Sequence, residues 1–88
     1  MRHARAEALD RLEALLARLR RFDALTERSR GVFYLRSRAF LHFHEDAAGL
    51  FADARTGESG EFERFKVDEP AGAEALIASV SAALSAID

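Results

Sequence analysis

Apolar residues in the first third of the chain recur at three- and four-residue steps: Leu9, Leu12, Leu16, Leu19 and Phe22, with Leu15 and Leu25 widening the stripe. That period predicts an amphipathic helix over about residues 5–28. Arg18, Arg20, Arg21 and Arg28 complement the negative end of its dipole, and Gly31 is placed to stop it. From Gly31 onward the period becomes two. Strands are predicted over residues 31–35, 39–45, 50–55 and 60–67. The intervening segments Arg36-Ser37-Arg38, Asp46-Ala47-Ala48-Gly49 and Thr56-Gly57-Glu58-Ser59 have turn chemistry, and their lengths join antiparallel neighbours. Asp68-Glu69-Pro70 then starts a second helix, and Ala73, Leu76, Ile77, Val80, Leu84 and Ile87 carry its apolar stripe to about residue 87. The expected fold is a two-layer α+β domain spanning residues 1–88, a four-stranded antiparallel meander with both helices on one face.

Loop lengths propose a register, and register assigns side chains to faces. Closing the first loop on Leu35 and Ala39 sets Phe33 against Leu41 and Tyr34 against Phe40. Closing the second on Glu45 and Leu50 sets Phe43 against Ala52, His42 against Asp53 and His44 against Phe51. The third loop is expected to set Ala52 against Phe65, Asp53 against Phe62 and Phe51 against Arg64. One face then holds Phe33, Leu35, Leu41, Phe43, Leu50, Ala52, Phe65 and Val67, which is the expected core. The other holds Val32, Tyr34, Phe40, His42, His44, Phe51, Asp53, Arg55, Phe62, Arg64 and Lys66. Four aromatics there would expose an apolar patch on the order of several hundred Å², a size that signals a partner.

Composition narrows this picture. The chain has 88 residues, enough for one small core, and its 49% apolar content includes 18 alanines, so the core is thin and self-association would extend it. Cysteine is absent, which excludes disulfides and thiolate chemistry and leaves histidine and carboxylate as the metal donors. No run is long enough to cross a bilayer and no signal-peptide stretch opens the chain, so a soluble cytoplasmic protein with no membrane partner is expected. The net charge of −2 is uneven, with ten arginines against five acids in residues 1–38 and three bases against ten acids in residues 39–88. Two halves of opposite sign complement each other on packing.

The candidate chemistry lies in Phe40-Leu41-His42-Phe43-His44-Glu45-Asp46. Two histidines at strand spacing share a face, and with Asp53 or a carboxylate from the adjacent turn they form a candidate set for a divalent transition metal. A cupin arrangement is rejected, because it wants glutamate four residues after the second histidine, where Ala48 stands. The plainer alternative pairs His42 with Asp53 and packs His44 on Phe51, and no cofactor is then required. Catalysis has little support, since Glu45 and Asp46 point to opposite faces and Ser37 and Ser59 lie in edge loops. Thr56-Gly57-Glu58-Ser59-Gly60 lacks the lysine and following helix of a phosphate loop.

Two partners suit the outer face. Tyr34, Phe40, Phe51 and Phe62 could stack on single-stranded nucleic acid while Arg55, Arg64, Lys66 and Arg36 meet phosphates. A pI near 5.9 and the absence of an RNA-recognition signature weigh against this. A homodimer packing two such faces together is the favoured expectation.

The segments Gly31-Val32-Phe33-Tyr34, Phe40-Leu41-His42-Phe43-His44-Glu45-Asp46, Ala48-Gly49-Leu50-Phe51-Ala52-Asp53 and Phe62-Glu63-Arg64-Phe65 resemble a group of short, uncharacterised bacterial hypothetical proteins. The resemblance covers the sheet and implies a bacterial cytosolic protein. It transfers no activity and no catalytic residue.

Overall fold

A computed structural model of the chain describes residues 1–87. Its elements are β1 (Arg2–His3), α1 (Ala6–Arg11), α2 (Glu13–Leu19), β2 (Leu25–Ser29), β3 (Val32–Leu35), β4 (Arg38–Asp46), β5 (Gly49–Ala54), β6 (Glu63–Lys66) and α3 (Pro70–Ser85). The architecture is α+β with an open antiparallel sheet. Its main path runs β2-β3-β4-β5-β6, and β1 pairs with β4 as a sixth strand.

The expected four strands are therefore too few: β2 takes the end of the segment expected to be one helix, and β1 forms just ahead of it. That helix is interrupted at Leu12, whose φ of −101° and ψ of 8° depart from helical values, and it ends at Leu19. The leucine stripe persists across the interruption, with Leu9, Leu12, Leu15, Leu16 and Leu19 all buried. Residues 25–29 form β2 instead, turning into β3 through Arg30 and Gly31. Gly31 has φ +79° and faces Leu9 and Phe43 so closely that a Cβ would come within 2.8 Å of Leu9 Cδ2. It makes a hairpin turn rather than a helix stop. Arg20 ties the end of α2 to the new strand, donating to Glu13 at 2.5 Å and to Glu27 at 2.6 Å.

The β3–β4 connection corrects a second expectation. Leu35 pairs with Arg38, so the loop is two residues, and its first, Arg36, has φ 60°. Tyr34 pairs with Ala39 while Phe33 still pairs with Leu41, so Phe40 is the extra residue of a bulge. The outer-face position expected for Phe40 is overturned: it is only 3% exposed and belongs to the core with Phe33, Leu41 and Phe43. A bulge adds one residue between paired positions and shifts the side-chain alternation, so Phe40 and Leu41 both enter the interior.

The β4–β5 register agrees with expectation at every pair proposed for it, His42 with Asp53, Phe43 with Ala52, His44 with Phe51 and Glu45 with Leu50. On β6 the pairing of Ala52 with Phe65 agrees, but Asp53 faces Arg64 and Phe51 faces Lys66. The strand also begins only at Glu63, leaving Phe62 in the loop before it.

All three helices lie on the face lined by Phe33, Leu41, Phe43, Leu50, Ala52 and Val67. α3 opens with Pro70 behind an extended Glu69 and buries Leu76 and Val80. It ends at Ser85 rather than continuing to residue 87. Gly72 lets its first turn lie against β6, because a Cβ there would collide with the Lys66 carbonyl oxygen. Arg18 joins α2 to α3 by a two-point ion pair with Glu74. No described helix is long and apolar enough to cross a membrane.

Candidate metal centre on the open sheet face

Alternation along β4 sends His42 and His44 to the face opposite the helices, and the same alternation on β5 and β6 sends Phe51, Asp53, Arg64 and Lys66 there. Asp53 is the centre of the group. Its carboxylate accepts from Arg64 Nε at 2.8 Å and from Arg64 Nη2 at 2.9 Å, while Oδ2 stands 3.3 Å from His44 Nε2 and 3.8 Å from His42 Nε2. The aspartate side chain is only 13% exposed, and Arg64, at 51%, closes it from the solvent side.

Charge follows from this geometry. Arg64, hydrogen-bonded to both oxygens, holds the Asp53 carboxyl below its ordinary range, and the neighbouring histidines add to the effect. Burial lowers the His42 pKa, and the nearby His44 ring lowers it further against the opposing pull of Asp53. Near neutral pH the site therefore pairs an ionised carboxylate with a neutral His42 imidazole, the protonation states a metal requires.

One donor atom from each of His42, His44 and Asp53 lies within 4.8 Å of those of the other two. Nitrogen donors bind zinc at about 2.0–2.1 Å, so donors sharing one ion stand at most about 4 Å apart. Contraction by about 1 Å, within reach of side-chain rotation, brings the set to that spacing. Buried His44 Nδ1 has no hydrogen-bond partner among the described residues, so no hydrogen bond from that nitrogen fixes the ring's orientation. Ring nitrogens and a carboxylate form a borderline donor set suited to zinc, copper or nickel.

A third histidine joins the cluster, and the sequence pattern did not point to it. β1 pairs with β4 beyond the end of β3, setting His3 directly against His44 and Arg2 against Glu45. The His3 ring stacks on His44 at 5.0 Å between centroids and lies 5.7 Å from His42. His42 and His44 meet edge to face at 4.7 Å. All three histidines of the chain thus gather at one place. A two-residue strand has no readable period; the only available signal was that the remaining histidine lay in a short segment ahead of the first helix.

The other expected face residues divide. Phe62 meets His42 edge to face at 5.3 Å and lies beneath Arg55, whose guanidinium is 4.2 Å from the ring centre. Arg55 is fixed there by donating to the carbonyls of Ala39 and Gly60. Phe51 lies beside Arg64 at 5.9 Å. Tyr34 sits one strand away from the cluster, on β3, beneath Arg28 at 4.1 Å. Arginines thus cover much of the aromatic patch expected to be bare, and Phe62, at 40%, remains its most exposed ring.

Comparison with known proteins finds no matching family model, no curated relative and no solved structure of similar fold. The chemistry of the site is the guide to function.

Proposed function

We propose that this protein is a small binding module whose working surface is the open sheet face, and that it holds one divalent transition-metal ion through His42, His44 and Asp53. The carrying observation is the convergence of these three donors from two adjacent strands within 4.8 Å of one another. Strands are rigid supports, and a site built on them is set more closely than one on loops. Asp53, kept ionised by Arg64, is a weak base, which favours holding an ion over proton-transfer catalysis. Zinc, copper and nickel are the ions to test.

The purified full chain, stripped with chelator and titrated with each ion against a competing chromophoric chelator, should take up one equivalent. His42→Ala and His44→Ala should each bind at least about tenfold more weakly, by analogy with the loss seen on removing even an outer-shell partner. Failure of the native chain to bind any of the three stoichiometrically would sink the proposal.

A second reading has its own observation. No described helix covers this face, and Phe62 stands 40% exposed upon it, so two copies packing face to face would bury the ring. Light scattering after size exclusion separates the readings: a metal-free dimer converted to monomer by Phe62→Glu supports the homodimer, and a native monomer opposes it. The arginines over Tyr34, Phe51 and Phe62 weigh against stacking of single-stranded nucleic acid.

A further inference from the structure

We infer that His3 is the fourth donor of the metal site, so that the N-terminal strand closes the coordination shell of the ion. This rests on the proposal that His42, His44 and Asp53 bind metal. Three strand donors leave a tetrahedral ion one position open, and β1 brings a third imidazole to the edge of the cluster. His3 is the direct cross-strand partner of His44, a position in which two Cβ atoms lie about 4.5–5.5 Å apart and side chains on one face meet.

The strand carrying His3 is held from other directions. Arg2 donates to Glu45 Oε1 at 3.1 Å, the Arg5 amide donates to Glu45 Oε2 at 2.6 Å, and the Ala4 amide donates to the Phe43 carbonyl at 3.0 Å. These contacts align the backbone without engaging the imidazole. The His3 ring stacks on His44 at 5.0 Å between centroids and is tilted relative to His42 at 5.7 Å. It is exposed, so it can turn a nitrogen toward an ion between the other two rings without disturbing the core. The three imidazoles meet through their rings, with no hydrogen bond from one to another among the described residues, and an ion is the group that takes a lone pair from each at once. The completed set is three imidazoles and one carboxylate, a donor set for zinc that cobalt(II) can report.

The test compares the native chain with His3→Ala and Arg2→Ala, using zinc competition, the visible spectrum of the cobalt-loaded protein, and hydrogen exchange at the Ala4 amide. Native protein should show the intense d–d bands of four-coordinate cobalt, and metal should slow exchange at Ala4. His3→Ala should bind zinc roughly tenfold or more weakly, lose band intensity as water replaces the imidazole, and abolish the metal-dependent protection. Arg2→Ala loosens the strand but keeps the donor, so its cobalt bands should match native. The inference is overturned if His3→Ala retains native affinity and spectrum, or if Arg2→Ala reproduces its spectral change. A native chain that binds no metal removes the underlying three-donor proposal as well, whereas a native chain that binds metal indifferently to His3 removes the fourth donor alone.

Discussion

Asp53 and Arg64 stand opposite one another on β5 and β6, joined by two parallel hydrogen bonds of 2.8 and 2.9 Å. The pair neutralises the one carboxylate in the histidine cluster and occupies both of its oxygens. A metal ion must share that carboxylate with the guanidinium or displace it, so Arg64 competes with the ion.

Replacing the competitor should therefore strengthen metal binding. Arg64→Gln is expected to raise zinc affinity about tenfold, which corresponds to about 1.4 kcal/mol, in the same chelator competition. Arg64 is half exposed, so solvent screens its pair with Asp53 and folding stability should change little. Unchanged or weaker binding would show that the guanidinium does not oppose the ion.

Acid should weaken both the fold and the site. The His42 pKa is lowered in the folded protein, chiefly by burial, so below its ordinary value of about 6.5 the unfolded chain binds more protons than the folded one. The stability contributed by a neutral His42 is present above that value and is lost as pH falls through the folded pKa. The depressed Asp53 adds a second loss at lower pH, beginning below about 3.9, its ordinary value. Urea midpoints measured from pH 7.5 down to 5 should fall less for His42→Gln than for the native chain; equal slopes would contradict this assignment.

Phe40 and Phe62 should part company under mutation. Phe40, carried into the core by the β4 bulge, should cost about 3–5 kcal/mol when changed to alanine. Phe62, 40% exposed on the outer face, should cost less than about 1.5 kcal/mol, since only part of its surface is removed from water. Urea unfolding of the two variants checks the bulge directly, because a regular strand would put Phe40 on the outer face and reverse the order.

At Gly72 intrinsic propensity and packing pull in opposite directions. Alanine favours a helix over glycine by about 1 kcal/mol, yet its Cβ would collide with the Lys66 carbonyl oxygen. Packing should win, with Gly72→Ala destabilising by about 1–3 kcal/mol. A more stable variant would mean that α3 does not approach β6 this closely.

The legible parts of the fold were those in which period and short loops agree. The turn between β4 and β5 set every proposed pair between those strands, including His42 with Asp53. The leucine stripe likewise identified the buried face of α1 and α2. Beyond Leu19 the same stripe misled, because Phe22 and Leu25 continue a helical spacing although the chain has turned. Leu25 enters the core edge from a strand, and a three-residue step carries no mark of that change. Around Phe40 alternation misled for a related reason: a bulge alters the period by one residue without altering composition.

The sequence by itself determined an α+β chain, two apolar helical stripes, and a sheet whose one face is apolar and whose other carries His42, His44 and Asp53. Those features follow from interactions between residues near in sequence, where period and turn length are sufficient. Tertiary structure alone decided that β1 would pair with the far end of β4, that Arg64 would hold Asp53, that Phe40 would turn inward, and that His3 would complete a cluster of three imidazoles. Each depends on contacts between distant segments, and no local period encodes which strand edge will be open when the N-terminus arrives.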